Sequence, residues 1–244
     1  MKIEFCIPIY NEEKILKNNV IKLLRFFQSQ NYNFDWQIIL VVNGSSDNSW
    51  AICQELKSEY AGLIECRNFP EPGRGQALKK YYLSSQADVL VYMDVDLAVS
   101  LNNISDLISP IIAGQADLVI GSRLMPDSKI ERSFIRELSS QTYNFLSKVI
   151  LGHNFSDLQC GFKAVRTEAF KKFADNIKDN KWFFDTELIA YAHHFGYRVK
   201  EIPVDWSENR WDQRKSKVNL LRDSLRFLVN LVKLKIRIIN TKKV

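Results

Sequence analysis

The sequence is short of the residues that build redox and metal-thiolate sites. It has four cysteines, Cys6, Cys53, Cys66 and Cys160, and three histidines among 244 residues. No cysteine pair has the spacing of a zinc or dithiol site, so the four read as small buried side chains in a reducing compartment. His193 and His194 lie together on a helical stretch with no acid at ligand spacing and read as structural. No uninterrupted apolar run approaches the roughly 18–20 residues of a membrane-spanning helix. The N-terminus enters a strand at once, without the basic and apolar regions of a secretory signal. No Pro/Gly/Ser-rich linker, internal repeat or low-complexity tract divides the chain. These absences leave one core domain over residues 1–216 and a separate helix over 217–244 as the expectation.

Charge of one sign is also scarce where it would matter for nucleic acid. The net charge is +6, yet ten Lys/Arg and one acid, Asp223, lie from Arg214 onward. That tail carries +9 and leaves the rest of the chain at −3, so no nucleic-acid partner is expected. On a helical wheel Leu220, Leu221, Leu225, Leu228, Leu231, Val232, Ile238 and Ile239 share a broad arc. Arg222, Arg226, Lys233 and Arg237 cluster opposite, and Lys235 falls inside the arc. A wide apolar face edged by cations is the pattern of a helix lying in a membrane interface; packing on the body is the alternative. A membrane surface is the expected partner, each base near it contributing roughly 1 kcal/mol.

Elsewhere strand and helix signals alternate. Apolar runs predict strands over 3–10, 36–42, 63–67, 87–93, 117–121 and 197–206. Helices are predicted over 12–28, 76–84, 104–113, 132–151, 167–173, 184–195 and 219–240. One more carries Ile52 and Leu56, with Ser46 or Asp47 as its cap. Repeated strand–helix units with apolar strands predict the α/β class, a mainly parallel central sheet flanked by helices.

The chemistry gathers where strands end, because open α/β sheets bind ligands at the carboxyl ends of their strands. The fourth strand runs out into Asp94-Val95-Asp96. Two hard oxygen ligands there suit Mg²⁺ or Mn²⁺, and such a cation suits a diphosphate. The first strand ends in Pro8-Ile-Tyr-Asn-Glu12: Pro8 fixes the backbone, Tyr10 can stack on a base, and Glu12 can take a ribose hydroxyl. Asn-Glu before a helix is equally an ordinary capping sequence. Asn43 can both donate to and accept from a base edge. In Gly73-Arg-Gly-Gln-Ala77 the glycines allow close approach of a ligand, and Arg74 can meet a phosphate. This is no dinucleotide fingerprint, since it lacks the third glycine and follows the third strand. Trp182 and Phe183 either line an apolar path or pack in the core. Asp185 and Glu187 read as acids at a helix N-terminus.

In order and spacing, Pro8-Ile-Tyr-Asn-Glu12, Asn43-Gly-Ser-Ser-Asp47, Asp94-Val-Asp96, Gly121-Ser-Arg123 and Asp157-Leu-Gln-Cys-Gly-Phe-Lys163 resemble the inverting glycosyltransferases of family two, which have the GT-A fold. Trp182-Phe-Phe-Asp-Thr-Glu187, Gly196-Tyr-Arg-Val-Lys-Glu-Ile-Pro-Val204 and Ser216-Lys-Val218 are similar to the branch of dolichyl-phosphate mannose and glucose synthases. The resemblance implies a Rossmann-like GT-A catalytic domain that moves a hexose from a UDP- or GDP-sugar to a polyprenyl phosphate. It implies that Pro8, Tyr10, Glu12 and Asn43 line the nucleoside pocket, and that Asp94 and Asp96, flanking Val95, hold the metal and the donor diphosphate. Arg123 and Arg136, with Ser140 one helical turn beyond, would lie near the transferred sugar and the acceptor phosphate. With Lys217, the arginines would offset the repulsion of two anions. Asp157 is the candidate base; orienting the loop before Cys160-Gly161 or binding a donor hydroxyl are its other readings. The sequence departs from the pattern at Val42-Asn43, where the family usually has two acids, and at Ala98, where a polar residue often stands. A family-two enzyme acting on a sugar hydroxyl, a nucleotidyltransferase and a catalytically silent binding protein are the competing readings. The expected location is cytoplasmic, on the inner face of the cell membrane.

Overall fold

Strands that are apolar almost without interruption need a cover on both faces. The computed structural model supplies one. It describes residues 1–131, 134–207 and 220–241, with backbone alone for 134–136 and 220–226. The chain runs β1 (Lys2–Ile9), α1 (Glu13–Ser29), β2 (Asp35–Asn43), α2 (Ser49–Glu59), β3 (Ile64–Phe69), α3 (Arg74–Ser84) and β4 (Val89–Met93). It continues through α4 (Ile104–Ile112), β5 (Leu118–Ser122), β6 (Lys129–Glu131), α5 (Phe134–Leu151), β7 (Phe162–Arg166) and α6 (Thr167–Phe173). It closes with α7 (Phe184–His194), β8 (Val199–Pro203), β9 (Asp205–Ser207) and α8 (Leu220–Asn240).

Seven strands form one sheet in the order β3-β2-β1-β4-β7-β5-β8. All neighbours are parallel except β7, which runs antiparallel between β4 and β5. One face carries α1, α2 and α4 through Leu16, Val20, Leu56 and Leu107. The other carries α3, α6, α7 and α8 through Leu78, Phe170, Leu188, Leu231 and Leu234. The chain leaves β1 towards β2 and β3, then returns to β4 on the other side of β1. Such a switch in direction opens a crevice at the strand ends. Two non-glycine residues among those described have a left-handed backbone, Asn11 (φ 53°) and Leu97 (φ 50°). They follow β1 and β4, the two walls of that crevice. For a bulky residue such as Leu97 this is strain of about 1–3 kcal/mol, which persists only where the surroundings fix it.

Two sequence expectations change. The stretch 197–206 is not one strand: β8 pairs with β5, while β9 pairs with β6 in a separate two-stranded sheet. The break falls at buried Val204, which passes so close to Gly121 that a Cβ there would sit 2.8 Å from Val204 Cγ1. β7 carried no clear signal, because Lys163 and Arg166 interrupt its apolar pattern. The wide apolar arc of α8 is also divided. Of the arc, Leu231 is buried in the body whereas Val232 and Ile239 face outward; outside the arc, Leu234 is buried and Ile236 is exposed. No described helix is long and apolar enough to cross a membrane. The proposed boundary at 216/217 lies outside the described residues. The four cysteines are free and buried, as read from their spacing.

His153 is buried, and the Phe155 N–H donates to its Nδ1 (3.1 Å), so Nε2 carries the proton toward Ser147 Oγ (3.2 Å). Burial, with His193 and Lys148 nearby, pushes its pKa down to about 4. Below the ordinary value of about 6.5 the unfolded chain takes up a proton that the folded one refuses, so stability falls as pH drops toward 4. The expected loss is about 3 kcal/mol across that window. A His153→Leu variant, less stable at pH 7, should show a flatter melting-temperature slope between pH 6.5 and 4.5; an unchanged slope would remove His153 as its source.

Candidate active site

At the ends of β1 and β2, two loops brace each other. Asn11 Oδ1 accepts from the Ser46 N–H (2.8 Å), and the Glu12 N–H donates to Ser49 Oγ (2.9 Å). Asp47, not Ser46, serves the helix start: it accepts from the Ser49 N–H (3.0 Å) and the Glu13 N–H (3.1 Å). Pro8 is buried opposite Val41, Glu12 is buried, and Tyr10 is 40% exposed at the rim. Asn43 is buried; its Nδ2 donates to Ile9 O (2.8 Å) and its Oδ1 accepts from the Gly73 N–H (3.3 Å). It therefore ties the end of β1 to the glycine loop. Gly44 (φ 65°) lets Pro72 cross it, since a Cβ would lie 2.5 Å from Pro72 N.

Across the crevice, β4 delivers the acids. Val95 points into the core and its carbonyl accepts from Asn19 Nδ2 (2.9 Å), which leaves Asp94 and Asp96 on the open side. The Ala98 N–H donates to Asp96 Oδ1 (3.3 Å), so this position contributes backbone where a polar side chain was sought. Tyr92 donates its hydroxyl to Asp94 Oδ1 (3.2 Å). Burial pushes the Asp94 carboxyl up to about 6; Arg74 opposes this, while Asp96 and Asp185 add to it. Gly161 makes the fit possible, because a Cβ there would fall inside the Asp94 carboxylate, 2.8 Å from Cγ.

Arg74, in the first turn of α3, lies beside that acid, its Nη1 3.6 Å from Asp94 Oδ1. Its Nη2 bonds Asp185, and its guanidinium lies 4.1 Å from the centre of the Trp182 ring. Lys163, from the unpredicted β7, is buried with its Nζ 3.1 Å from Asp185 Oδ1. The Arg74 Nε is buried with no hydrogen-bond partner among the described residues. Asp185 and Lys163 are the residues that sequence reasoning missed. In the sequence Asp185 reads as serving its helix N-terminus and packing, and Lys163 carries no strand signal. Trp182 reaches the site, but Phe183 is core.

On the far side Arg123 grips Asp157 with Nε to Oδ2 (2.7 Å) and Nη2 to Oδ1 (3.0 Å). The Gln159 N–H adds a further bond to Oδ1 (3.0 Å). Burial alone would raise the Asp157 carboxyl, but Arg123 outweighs it and holds it at about 2. A fully buried, bidentate carboxylate of that pKa is a poor proton acceptor at neutral pH. The loop-orienting reading of Asp157 is the one its geometry fits. Ser140 is half-buried on α5, its carbonyl accepting from Asn144 Nδ2 (2.9 Å). Arg136 lies on α5 with its side chain outside the described residues, and Lys217 also falls outside them.

A model of glycosyl transferase family 2 matches residues 4–174. The chain belongs to that family. Glycosyltransferase AglD of Haloferax volcanii is 34% identical over 225 residues, which are 92% of this chain and 35% of AglD. Dolichyl-phosphate beta-glucosyltransferase ALG5D of Trichomonas vaginalis is 27% identical over 244 residues, covering 94% of this chain and 75% of that protein. The chain thus spans about a third of the first relative and three quarters of the second. Among solved structures, glucosyl-3-phosphoglycerate synthase from Mycobacterium tuberculosis in complex with Mn²⁺, UDP-glucose and glycerol 3-phosphate superposes with a TM-score of 0.65 at 15% identity, covering 99% of this chain and 81% of that one. At that identity the likeness is one of fold, and the fold is GT-A-like.

In this family 2 chain the donor set fits a hard divalent cation. Asp94 and Asp96 offer carboxylate oxygens from alternate residues, and Gly161 leaves the first of them room. No cluster of three or more His, Cys, Asp or Glu suited to a metal occurs among the described residues. A dication held by two protein oxygens keeps its other positions for water and phosphate oxygens, which is how Mg²⁺ binds beside diphosphates.

Proposed function

We propose that the chain transfers a hexose from a UDP- or GDP-sugar to a polyprenyl phosphate, with inversion and with Mg²⁺ or Mn²⁺ held by Asp94 and Asp96. The observation that carries this reading is that Asp94, one of two acids at the end of β4, lies beside Arg74, while Asp157, the candidate base, is gripped through both oxygens by Arg123. An acceptor phosphate has a second pKa near ~6 and is already largely ionised at neutral pH, so it needs no strong base. Its oxygen attacks the anomeric carbon as the bond from that carbon to the diphosphate breaks on the opposite face. When bound, the cation supplies Lewis-acid charge neutralisation to the leaving diphosphate. Pro8, Tyr10 and Glu12 frame the nucleoside, with Asn43 fixing the loops behind it. Arg74 flanks the diphosphate, and Arg123, oriented by Asp157, faces the acceptor anion, with Arg136, Ser140 and Lys217 assigned beside it. Names of the relatives that act on dolichyl phosphate support the acceptor class. A sugar-hydroxyl acceptor is less suited, because it needs a base and both oxygens of Asp157 are engaged by Arg123.

The test is transfer from radiolabelled UDP-glucose and GDP-mannose to polyprenyl phosphate with Mn²⁺. A butanol-extractable, mild-acid-labile product with release of nucleoside diphosphate is expected. Release of pyrophosphate, or transfer only to soluble sugars, would replace this reading.

The lipid acceptor calls for a membrane-facing surface, and α5 and α8 offer one. They lie side by side: the Tyr143 and Phe227 rings are 5.4 Å apart, and Lys235 Nζ donates to Leu151 O (3.4 Å). Leu138, Phe145 and Val149 on α5 are exposed. So are Leu228, Val229, Val232, Ile236 and Ile239 on α8. We assign this pair to the inner membrane surface. Val232→Glu with Ile236→Glu should lower binding to anionic vesicles at least tenfold, while stability stays within about 0.5 kcal/mol because both side chains face outward. Unchanged vesicle binding would remove α8 as the anchor.

A further inference from the structure

Among the described residues of α8, Arg237 turns toward a buried acid of the body. Leu231 and Leu234 already seat the helix on the body. Arg237 reaches past them, its Nη2 bonding Glu187 on α7 and its Nη1 donating to Asn176 O (3.3 Å). Glu187 is 1% exposed, so it cannot exchange this partner for bulk water. Its other oxygen, Oε2, accepts from the backbone N–H groups of Lys178 (2.6 Å) and Asp179 (2.8 Å). One buried carboxylate therefore joins the C-terminal helix to the loop over residues 177–183.

That loop has little slack on its other side. A Cβ on Gly73 would lie 2.8 Å from Asn180 O, and one on Gly75 would lie 2.9 Å from both Asp179 O and Lys181 O. The Gln76 N–H donates to Asn180 O (3.1 Å). The loop carbonyls are thus pressed directly onto the backbone that opens α3 and carries Arg74 between its two glycines. Arg74 in turn bonds Asp185, two residues before Glu187 on the same helix, and reaches toward Asp94.

We infer that Arg237 is a positioning residue for the donor-diphosphate end of the site: through Glu187 it clamps the 177–183 loop against the Gly73–Gly75 backbone and so sets Arg74. The inference rests on the donor reading above and deepens it. It gives α8 a second task besides lying at a lipid surface. Because coupling between two binding events is reciprocal, a donor that fixes the loop also steadies α8, and a surface that steadies α8 favours the donor.

Full-length Arg237→Gln and Arg237→Lys proteins, with Lys235→Gln as a control on the same helix, are titrated with Mn²⁺·UDP and Mn²⁺·GDP well below their melting temperatures. The wild type is expected to bind one of these nucleotides. Arg237→Gln should weaken it roughly tenfold, in the usual range of coupling between sites, whereas Arg237→Lys recovers most of the affinity and Lys235→Gln stays within twofold. A general loss of packing would not be rescued by lysine. Affinity in Arg237→Gln within twofold of wild type overturns the inference. Hydrogen exchange on the wild type keeps the test open should Arg237→Gln fail to fold: Mn²⁺·nucleotide should slow the amides of Lys178, Asp179 and residues 231–238 together. No change in α8 overturns the coupling. A wild type that binds neither nucleotide overturns the donor reading itself and this inference with it.

Discussion

Replacing Asp96 with alanine is expected to abolish metal-dependent sugar transfer while leaving a folded protein. The fold is insulated from this change because Val95, not Asp96, enters the core from this turn. The structural loss includes the acceptor for the Ala98 N–H, worth about 1 kcal/mol. The chemical loss is one of two protein oxygens assigned to the cation. Neutralising a leaving diphosphate contributes several kcal/mol to the transition state, so turnover should fall roughly 10³-fold or more. Single-turnover transfer with saturating Mn²⁺, alongside a thermal melt and a Mn²⁺ titration, measures all three quantities. Wild-type turnover in a folded Asp96→Ala protein would remove the metal role from this residue.

Gly161→Ala should separate activity from stability in the same direction by a different route. The added methyl collides with the Asp94 carboxylate, 2.8 Å from Cγ, and with Tyr92 Oη at 3.0 Å. What must yield is the end of a side chain, so folding should lose only about 1 kcal/mol. The displaced group, however, is an assigned metal ligand, and misplacing a reacting constellation by about 1 Å costs on the order of 10² in rate. Loss of Mn²⁺ affinity and turnover with a near-normal melting temperature is the expected result. Full activity would show that Asp94 has freedom the packing does not suggest.

Much of the site was legible because its signals are local. Asp94 and Asp96 follow an apolar run, and a strand that ends in acids places them at a sheet's carboxyl edge wherever the strand lies in the order. Glycines at 73 and 75 announced a close approach, although the neighbour proved to be the 179–181 carbonyls of the chain itself. Asn43 has both the donor and the acceptor that a base edge needs. The same amide hydrogen-bonds backbone equally well, and here it joins two loops. In the sequence Asp157 reads as a base, a loop support or a donor-hydroxyl ligand, and the bidentate grip of Arg123 fits the loop support.

By itself the sequence determined the α/β class, the family and the strand ends that carry the candidate site residues, since periodicity and short motifs are written within a few neighbouring residues. Only the tertiary structure decided which charge meets which. Arg123 and Asp157 are 34 residues apart, Glu187 and Arg237 are 50 apart, and Arg74 and Asp185 are 111 apart. The same is true of β7, whose antiparallel place between β4 and β5 brings Lys163 beneath the site. Local pattern fixes where a side chain leaves the backbone, but its partner is chosen by how the sheet is ordered and which helices cover it. A buried charge then takes the opposite charge that folding has brought within reach, because leaving it unpaired in a low-dielectric interior costs more than most native contacts return.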